Sequence, residues 1–253
     1  MSYQELKFSC RNGDLTIRGT EYRPEGENLP VAIMCHGFMA NQDSVRLYTK
    51  TLAELGYDAF CFDFPGGCAV GESDGDNTKM SVMTEVEDLL AVIDYVRGLP
   101  QVGKELLIGG CSQGGIVSAL VAARIPEVVT KLVLFYPAFC IPDDARNGFN
   151  SYATFDPANI PDILPCGPWI IGGCFPRDVL DLDPYEVIPA YQGPVLVVHG
   201  EIDDCVPVSY GVRAKEVYGD AATLFIIPGA GHGFHGEHDE LAVQYLKDFA
   251  KLD

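Results

Sequence analysis

Positive charge is scarce in this chain. Seventeen lysines and arginines stand against 36 aspartates and glutamates, a formal net charge of −19 over 253 residues. A surface of that sign repels phosphate backbones and anionic bilayers, so neither nucleic acid nor a membrane is expected as a partner. No window approaches the roughly 18 apolar residues of a membrane span, and the opening MSYQELKFSCRNGDLTIRG has no basic segment leading into an apolar run. The expectation is a soluble chain in the cytoplasm. Repeats of fixed period, low-complexity tracts and linkers are also missing; with 47% hydrophobic residues, residues 1–253 are expected to form a single domain around one core. The nine cysteines are odd in number and lack CxxC spacing, and Cys35, Cys61 and Cys140 lie inside apolar runs. That usage suits free thiols in a reducing compartment better than disulfides.

What the chain does have is an alternation of strand and helix patterns. ELKFSC and LTIRGTEYRP flank Asn12-Gly13-Asp14 and read as an opening β-hairpin. VAIMCHG, DAFCFDFPG, KELLIGG, KLVLFYP, PVLVVHGE and TLFIIPG are short β-branched or aromatic runs, the pattern of parallel strands buried on both faces. Helical patterns lie between most of them, over Ser44 to Leu55, Val82 to Arg97, Gly114 to Arg124 and Leu241 to Leu252. The fold class is therefore α/β, a mostly parallel central sheet with helices on both faces. The interval from Ala138 to Ala190, rich in Pro, Gly and Asp, breaks the rhythm. So long a structureless connection is improbable, and residues 138–190 are expected to form a small inserted cap.

In such a sheet, sites form beyond the C-terminal ends of the strands, and the chemically capable residues follow the apolar runs. Ser112 follows LLIGG, Asp203 follows VLVVHGEI, His232 follows LFIIPGAG, and His36 with Phe38 follows VAIM. Gly110-x-Ser112-x-Gly114 between a strand and a helix is a nucleophile-elbow pattern, in which small neighbours let a tight turn lift the hydroxyl clear of the sheet. A serine needs an imidazole to take its proton, and the imidazole needs a carboxylate to fix its tautomer. His232 and Asp203 fit those roles, and the order Ser, Asp, His is that of one serine hydrolase design among three common ones. The oxyanion donors expected for it are the backbone N–H groups of Gln113 and Phe38, with the start of the following helix adding its positive end.

The motifs HGF, GxSQGG, HGxxDxxVP (His199 to Pro207) and GxGHGF (Gly229 to Phe234) resemble the α/β-hydrolase superfamily. More narrowly, CHGFMANQ, GGCSQGG, DDARNGF and FDPANIPDILP look like the bacterial cinnamoyl and feruloyl esterases, over nearly the whole chain including the cap. The resemblance implies a triad of Ser112, Asp203 and His232, oxyanion N–H groups on Phe38 and Gln113, and a phenol-contacting acid at Asp144. It also implies substrate contacts at the cap positions Ser151 and Phe175. Trp169, the only tryptophan, is read either as a cap-core residue or as a wall of the acyl pocket. The implied activity is a serine carboxylesterase acting on small-molecule esters of hydroxycinnamic acids through an acyl-enzyme, without a cofactor or a metal. A homodimer stays open.

Blander readings accompany these. Gly-x-Ser-x-Gly alone also occurs where a helix packs close to a strand, and Asp204 could replace Asp203, although the HGxxDxxVP spacing favours Asp203. His232, His235 and His238 have a spacing that suggests a metal, yet they straddle a loop and a helix start and share no rigid face. Gly71 to Met80 resembles a calcium loop, but Lys79 stands where the turn glycine belongs. His36 is read as orienting the oxyanion loop, His199 as structural and Cys111 as a packed thiol. Two alternatives remain. One keeps the triad on short acyl esters, monoacylglycerols, thioesters or peptides; the other is a hydrolase-like binding protein without catalysis.

Overall fold

The computed structural model describes residues 2–150 and 152–252. An antiparallel hairpin opens the chain, β1 (Tyr3–Asn12) and β2 (Leu15–Pro24), turning at Gly13 with φ 55°. There follow β3 (Leu29–Cys35), α1 (Arg46–Glu54), β4 (Asp58–Phe62), α2 (Val82–Arg97), β5 (Val102–Cys111), α3 (Gln113–Arg124) and β6 (Lys131–Phe135). An excursion then carries α4 (Ile141–Arg146), β7 (Phe149–Asn150), β8 (Ala153–Thr154), β9 (Ile163–Cys166), β10 (Trp169–Gly172), α5 (Cys174–Arg177) and α6 (Pro184–Val187). The chain returns through β11 (Val195–Gly200), α7 (Val208–Tyr218), β12 (Ala222–Ile227) and α8 (Glu237–Ala250).

Eight strands form one sheet in the order β1-β2-β4-β3-β5-β6-β11-β12. The first two joins, β1 to β2 and β2 to β4, are antiparallel; from β4 to β12 every pairing is parallel. The parallel strands are apolar on both faces because both are covered. Ile33, Phe60, Ile108, Leu134 and Val197 pack toward α2, α3 and α7, while their neighbours Met34, Cys61, Leu107, Val133 and Val198 pack toward α1 and α8. Successive side chains on a strand point to opposite faces, so one short run serves two cores.

α2 begins at a capping box, in which the Ser81 hydroxyl accepts from the Thr84 N–H and the Thr84 hydroxyl from the Ser81 N–H. α8 starts at Glu237, four residues earlier than its apolar pattern suggests, with Glu237, Asp239 and Glu240 in a first turn that favours negative charge. The excursion after β6 folds as two small antiparallel hairpins, β7 with β8 and β9 with β10, preceded by α4 and followed by α5 and α6. Leu164, Cys166, Ile171 and Phe175 bury against Met80 and the loop residues Phe38 and Met39, which ties this segment to the loop after β3. No helix among the described residues is long and apolar enough to cross a membrane. All nine cysteines are free thiols, and only Cys205 is exposed.

Candidate active site

Strand order reverses between β3 and β5, because the chain leaves β3 toward β4 on one side and re-enters as β5 on the other. The crevice beyond the strand ends at such a switch point is where sites form in open α/β sheets. Ser112 lies there, between the end of β5 and the first residue of α3, with φ 53° and ψ −117°. Its N–H donates to the Phe135 carbonyl at 3.0 Å and its carbonyl accepts from the Ala138 N–H at 2.9 Å, which pins the turn to β6 and the segment after it. A side chain on Gly110 would strike the backbone of Gly114, and one on Gly114 would strike the carbonyls of Cys35 and His36. The glycines are therefore a steric requirement of the elbow.

His232 arrives on the loop after β12 and Asp203 on the loop after β11. The Ser112 hydroxyl donates to His232 Nε2 at 3.0 Å, and His232 Nδ1–H donates to Asp203 Oδ2 at 2.9 Å and Oδ1 at 3.1 Å. A carboxylate can only accept, so the proton belongs on Nδ1 and the lone pair on Nε2 faces the serine. Tyr136 presents its ring edge-on to His232 with centroids 4.9 Å apart, limiting where the imidazole can swing. Burial works against ionisation of Asp203, but hydrogen bonds from His199, His232 and the Val206 N–H outweigh it and hold the carboxyl well below the usual carboxylate range. Asp204 is exposed and takes no part.

The two histidines nearer the strands support this arrangement without touching the serine. His199 is fully buried, with Nε2 2.8 Å from the Val206 carbonyl and 3.5 Å from Asp203 Oδ2. His36 Nδ1–H donates to the Gly37 carbonyl at 2.8 Å, and Nε2 accepts from the Phe64 N–H at 3.0 Å. His36, Asp63 and Cys68 bring ligand-type atoms within 4.8 Å of one another. Their lone pairs are already engaged: Asp63 accepts from the Gln42 and Glu72 N–H groups, and the Cys68 thiol lies 3.3 Å from His36 Nε2. His232, His235 and His238 do not gather as a metal cluster among the described residues.

Gly37 crosses so close to Ser112 that an added side chain would meet the Ser112 Cβ at 3.1 Å. The next residue, Phe38, makes no backbone N–H hydrogen bond among the described residues, and Gln113 is the first residue of α3, where the N–H has no partner within the helix. Both residues line a cavity of about 360 Å3 that opens over Ser112 and His232. Met39, at φ 54°, is held by a parallel bridge to Cys68, and its carbonyl accepts from the Ala69 N–H at 3.1 Å. Asn77 braces the same loop by donating to the Gly66 and Cys68 carbonyls at 2.6 and 3.0 Å.

The far wall of the cavity comes from the excursion after β6. Ile141, Asp144, Phe149, Tyr152 and Phe175 line it, and the Phe175 ring lies 5.1 Å from that of Phe38. Burial raises the Asp144 carboxyl, partly offset by its hydrogen bond with Cys140, and Asp143 raises it further. Ser151 lies outside the described residues. Trp169 requires a correction, being neither a core residue nor a wall of the cavity. It stands on β10 at 41% exposure, paired with Cys166 at the hairpin end, while Ile171 two residues on takes the buried position. Cys111 is a buried thiol, pushed up to about 12 by burial, with a hydrogen bond to Tyr136 that lowers it. Glu85, on the buried side of α2 among Val82, Val86 and Leu89, is a site-adjacent residue that sequence reasoning missed.

Residues 32–244 match the alpha/beta hydrolase family. The chain belongs to the alpha/beta hydrolase family. Among solved structures, this chain superimposes on Est1E from Butyrivibrio proteoclasticus, solved with ferulic acid bound, with a TM-score of 0.90 and 29% identity. That match covers 96% of this chain and 97% of Est1E. A putative esterase/lipase of Haemophilus influenzae is 23% identical, over 88% of this chain and 83% of its own length. The uncharacterized protein PA2218 of Pseudomonas aeruginosa is 32% identical over 140 residues, which is 52% of this chain but only 37% of PA2218.

Proposed function

We propose that this hydrolase is a serine carboxylesterase whose acyl pocket takes hydroxycinnamic acids, with residues 138–190 acting as its cap. The observation that carries the reading is the continuous chain of hydrogen bonds from Asp203 through His232 to Ser112 at the floor of a mostly apolar cavity. In this reading His232 Nε2 takes the serine proton as Ser112 Oγ attacks the ester carbonyl, and Asp203 stabilises the imidazolium that forms. The oxyanion develops against the Phe38 and Gln113 N–H groups, each worth roughly 2.7–4 kcal/mol of barrier. His232 then protonates the leaving alcohol, and a water activated by the same imidazole releases the acid from the acyl-enzyme.

Two features favour an aromatic acyl group. Phe38, Phe149 and Phe175 offer rings along the cavity, and Asp144, a half-buried acid on its wall, suits a phenol hydroxyl. The likeness to Est1E, solved with ferulic acid, points the same way. A fluorophosphonate is expected to label Ser112, and Ser112→Ala is expected to lose labelling together with about 10⁴-fold or more of kcat. Methyl ferulate is expected to exceed p-nitrophenyl butyrate and an acyl-peptide in kcat/KM once leaving-group reactivity is matched. No preference for the ferulate returns the protein to a general acyl esterase, and unlabelled Ser112 returns it to a binding protein.

A further inference from the structure

Behind the oxyanion hole lies a polar group that the reaction above does not use. Glu85, in the first turn of α2, is 1% exposed, and the Gln113 side chain, itself fully buried, faces it from α3. Both carboxyl oxygens of Glu85 and Oε1 of Gln113 are buried with no hydrogen-bond partner. If the carboxyl were ionised, the Gln113 amide N–H could answer only part of it, leaving Gln113 Oε1 an orphaned acceptor beside a buried charge in a dry interior, an arrangement that native proteins avoid. One proton reconciles them. A neutral carboxyl can donate its O–H to Gln113 Oε1 while its other oxygen accepts from Gln113 Nε2, a two-point pair that satisfies every atom in question. Gln113 Nε2 otherwise has only the Met80 sulfur at 3.6 Å.

Glu85 also bears on the other half of the hole. Gly67 packs so tightly against Glu85 Oε1 that any side chain there would clash with it. The residue after Gly67, Cys68, forms the bridge to Met39, and Met39 follows Phe38. One side chain thus touches the start of α3, which carries the Gln113 N–H, and the loop that holds the Phe38 N–H in place.

We propose that Glu85 is a positioning residue for the oxyanion hole, pairing as the neutral acid with the Gln113 amide and bracing the Gly67–Cys68 loop against Met39. This rests on the reading of Phe38 and Gln113 as oxyanion donors. Burial drives the carboxyl well above its usual range, Gln113 lowers it somewhat and Asp88 adds to the rise. The other titratable groups facing it, the Cys35 thiol of β3 and the Cys68 thiol of the loop, offer no positive charge.

The test compares Glu85→Gln, which can still pair with the amide, with Glu85→Met, which fills the space without polar atoms. Glu85→Gln is expected to keep kcat within about threefold, whereas Glu85→Met loses about tenfold or more with KM within about twofold. Its affinity for a trifluoromethyl ketone, whose adduct places an oxyanion in the hole, is expected to fall in parallel. A folded Glu85→Met with wild-type kcat and inhibitor affinity overturns the proposal, as does a folded Glu85→Gln that is as impaired as the methionine variant. Should Glu85→Met not fold because Gln113 is left unpaired, the double variant Glu85→Met/Gln113→Met removes both polar partners. Wild-type kcat in that double variant also overturns the proposal. Ser112→Ala in the same assay separates the two readings. An active Ser112→Ala removes the serine mechanism and this inference with it; an inactive one beside an unimpaired Glu85→Met removes the positioning role alone.

Discussion

At φ 53° and ψ −117°, Ser112 occupies backbone space that glycine enters freely and other residues enter at a cost of order 1–3 kcal/mol. The surrounding bonds hold it there: Ser112 N–H to Phe135, Ala138 N–H to Ser112, and Gly37 pressed against the Ser112 Cβ. Strain of this kind is relieved by removing the Cβ. Ser112→Gly is therefore expected to melt above Ser112→Ala by roughly 2–8 °C, the equivalent of about 1–2 kcal/mol in a domain of this size, although both lack the hydroxyl. Thermal denaturation of the two variants checks this, and equal melting temperatures would mean that the turn is unstrained. Residues whose meeting place is set by chain order were legible in the sequence, since Ser112, Asp203 and His232 each follow an apolar run and end within hydrogen-bond distance of one another. Glu85 was not, because a glutamate in a helix reads as solvated unless its place on the apolar face, three residues after Val82 and four before Leu89, is weighed above its charge. Trp169 misled for the opposite reason, since size suggested burial where β10 begins at an exposed hairpin turn.

The elements differ in how well a pattern can announce them. Parallel strands announce themselves because both faces are covered, and α2 does so because a sixteen-residue amphipathic run begins at a capping box. The two-residue strands β7 and β8 and the four-residue helices α5 and α6 are too short to display a period, so the excursion after β6 showed only as an interruption. α3 carries the tightest constraint at this scale. Its second residue, Gly114, packs against the Cys35 and His36 carbonyls at the end of β3, and its third, Gly115, against Pro137. Backbone atoms cannot turn aside as a flexible side chain can. Gly114→Ala is expected to cost about 3 kcal/mol despite the better helix propensity of alanine, lowering Tm by roughly 6–12 °C. It is also expected to lower kcat, because the displaced carbonyls belong to the strand that leads into the Phe38 loop. A Gly114→Ala variant as stable and active as the wild type would show that the strand and helix have room to part.

Over the whole molecule, a net charge of −19 sets the pH dependence together with a few buried carboxylates. Asp203, depressed in the folded state, contributes stability that is present above about pH 4 and lost as the pH falls further. Asp58 and Asp88 act in the opposite direction. Burial raises each to about 7; Gln101 lowers Asp58 while Glu21 raises it, and Asn12, donating to Asp88 at 2.7 Å, lowers Asp88 while Glu87 raises it. Between the unfolded value near 4 and the folded value near 7 the native state binds more protons than the unfolded chain, so stability falls as the pH rises through that window. Asp88→Asn keeps an acceptor for Asn12 and removes the ionisation. Its Tm loss between pH 4.5 and pH 8 is expected to be smaller than that of the wild type by roughly a quarter to a third, with the remainder carried by Glu85, whose buried carboxyl is likewise held above its usual range, by Asp58 and by surface repulsion. Added salt screens exposed charges far more than buried ones, so 0.5 M NaCl, a concentration at which the screening length is only about 4–5 Å, should leave the difference between the two proteins largely in place. If Asp88→Asn retains the full wild-type slope, or if salt alone abolishes the difference, the pH dependence does not belong to the Asp88 carboxylate on the buried side of α2.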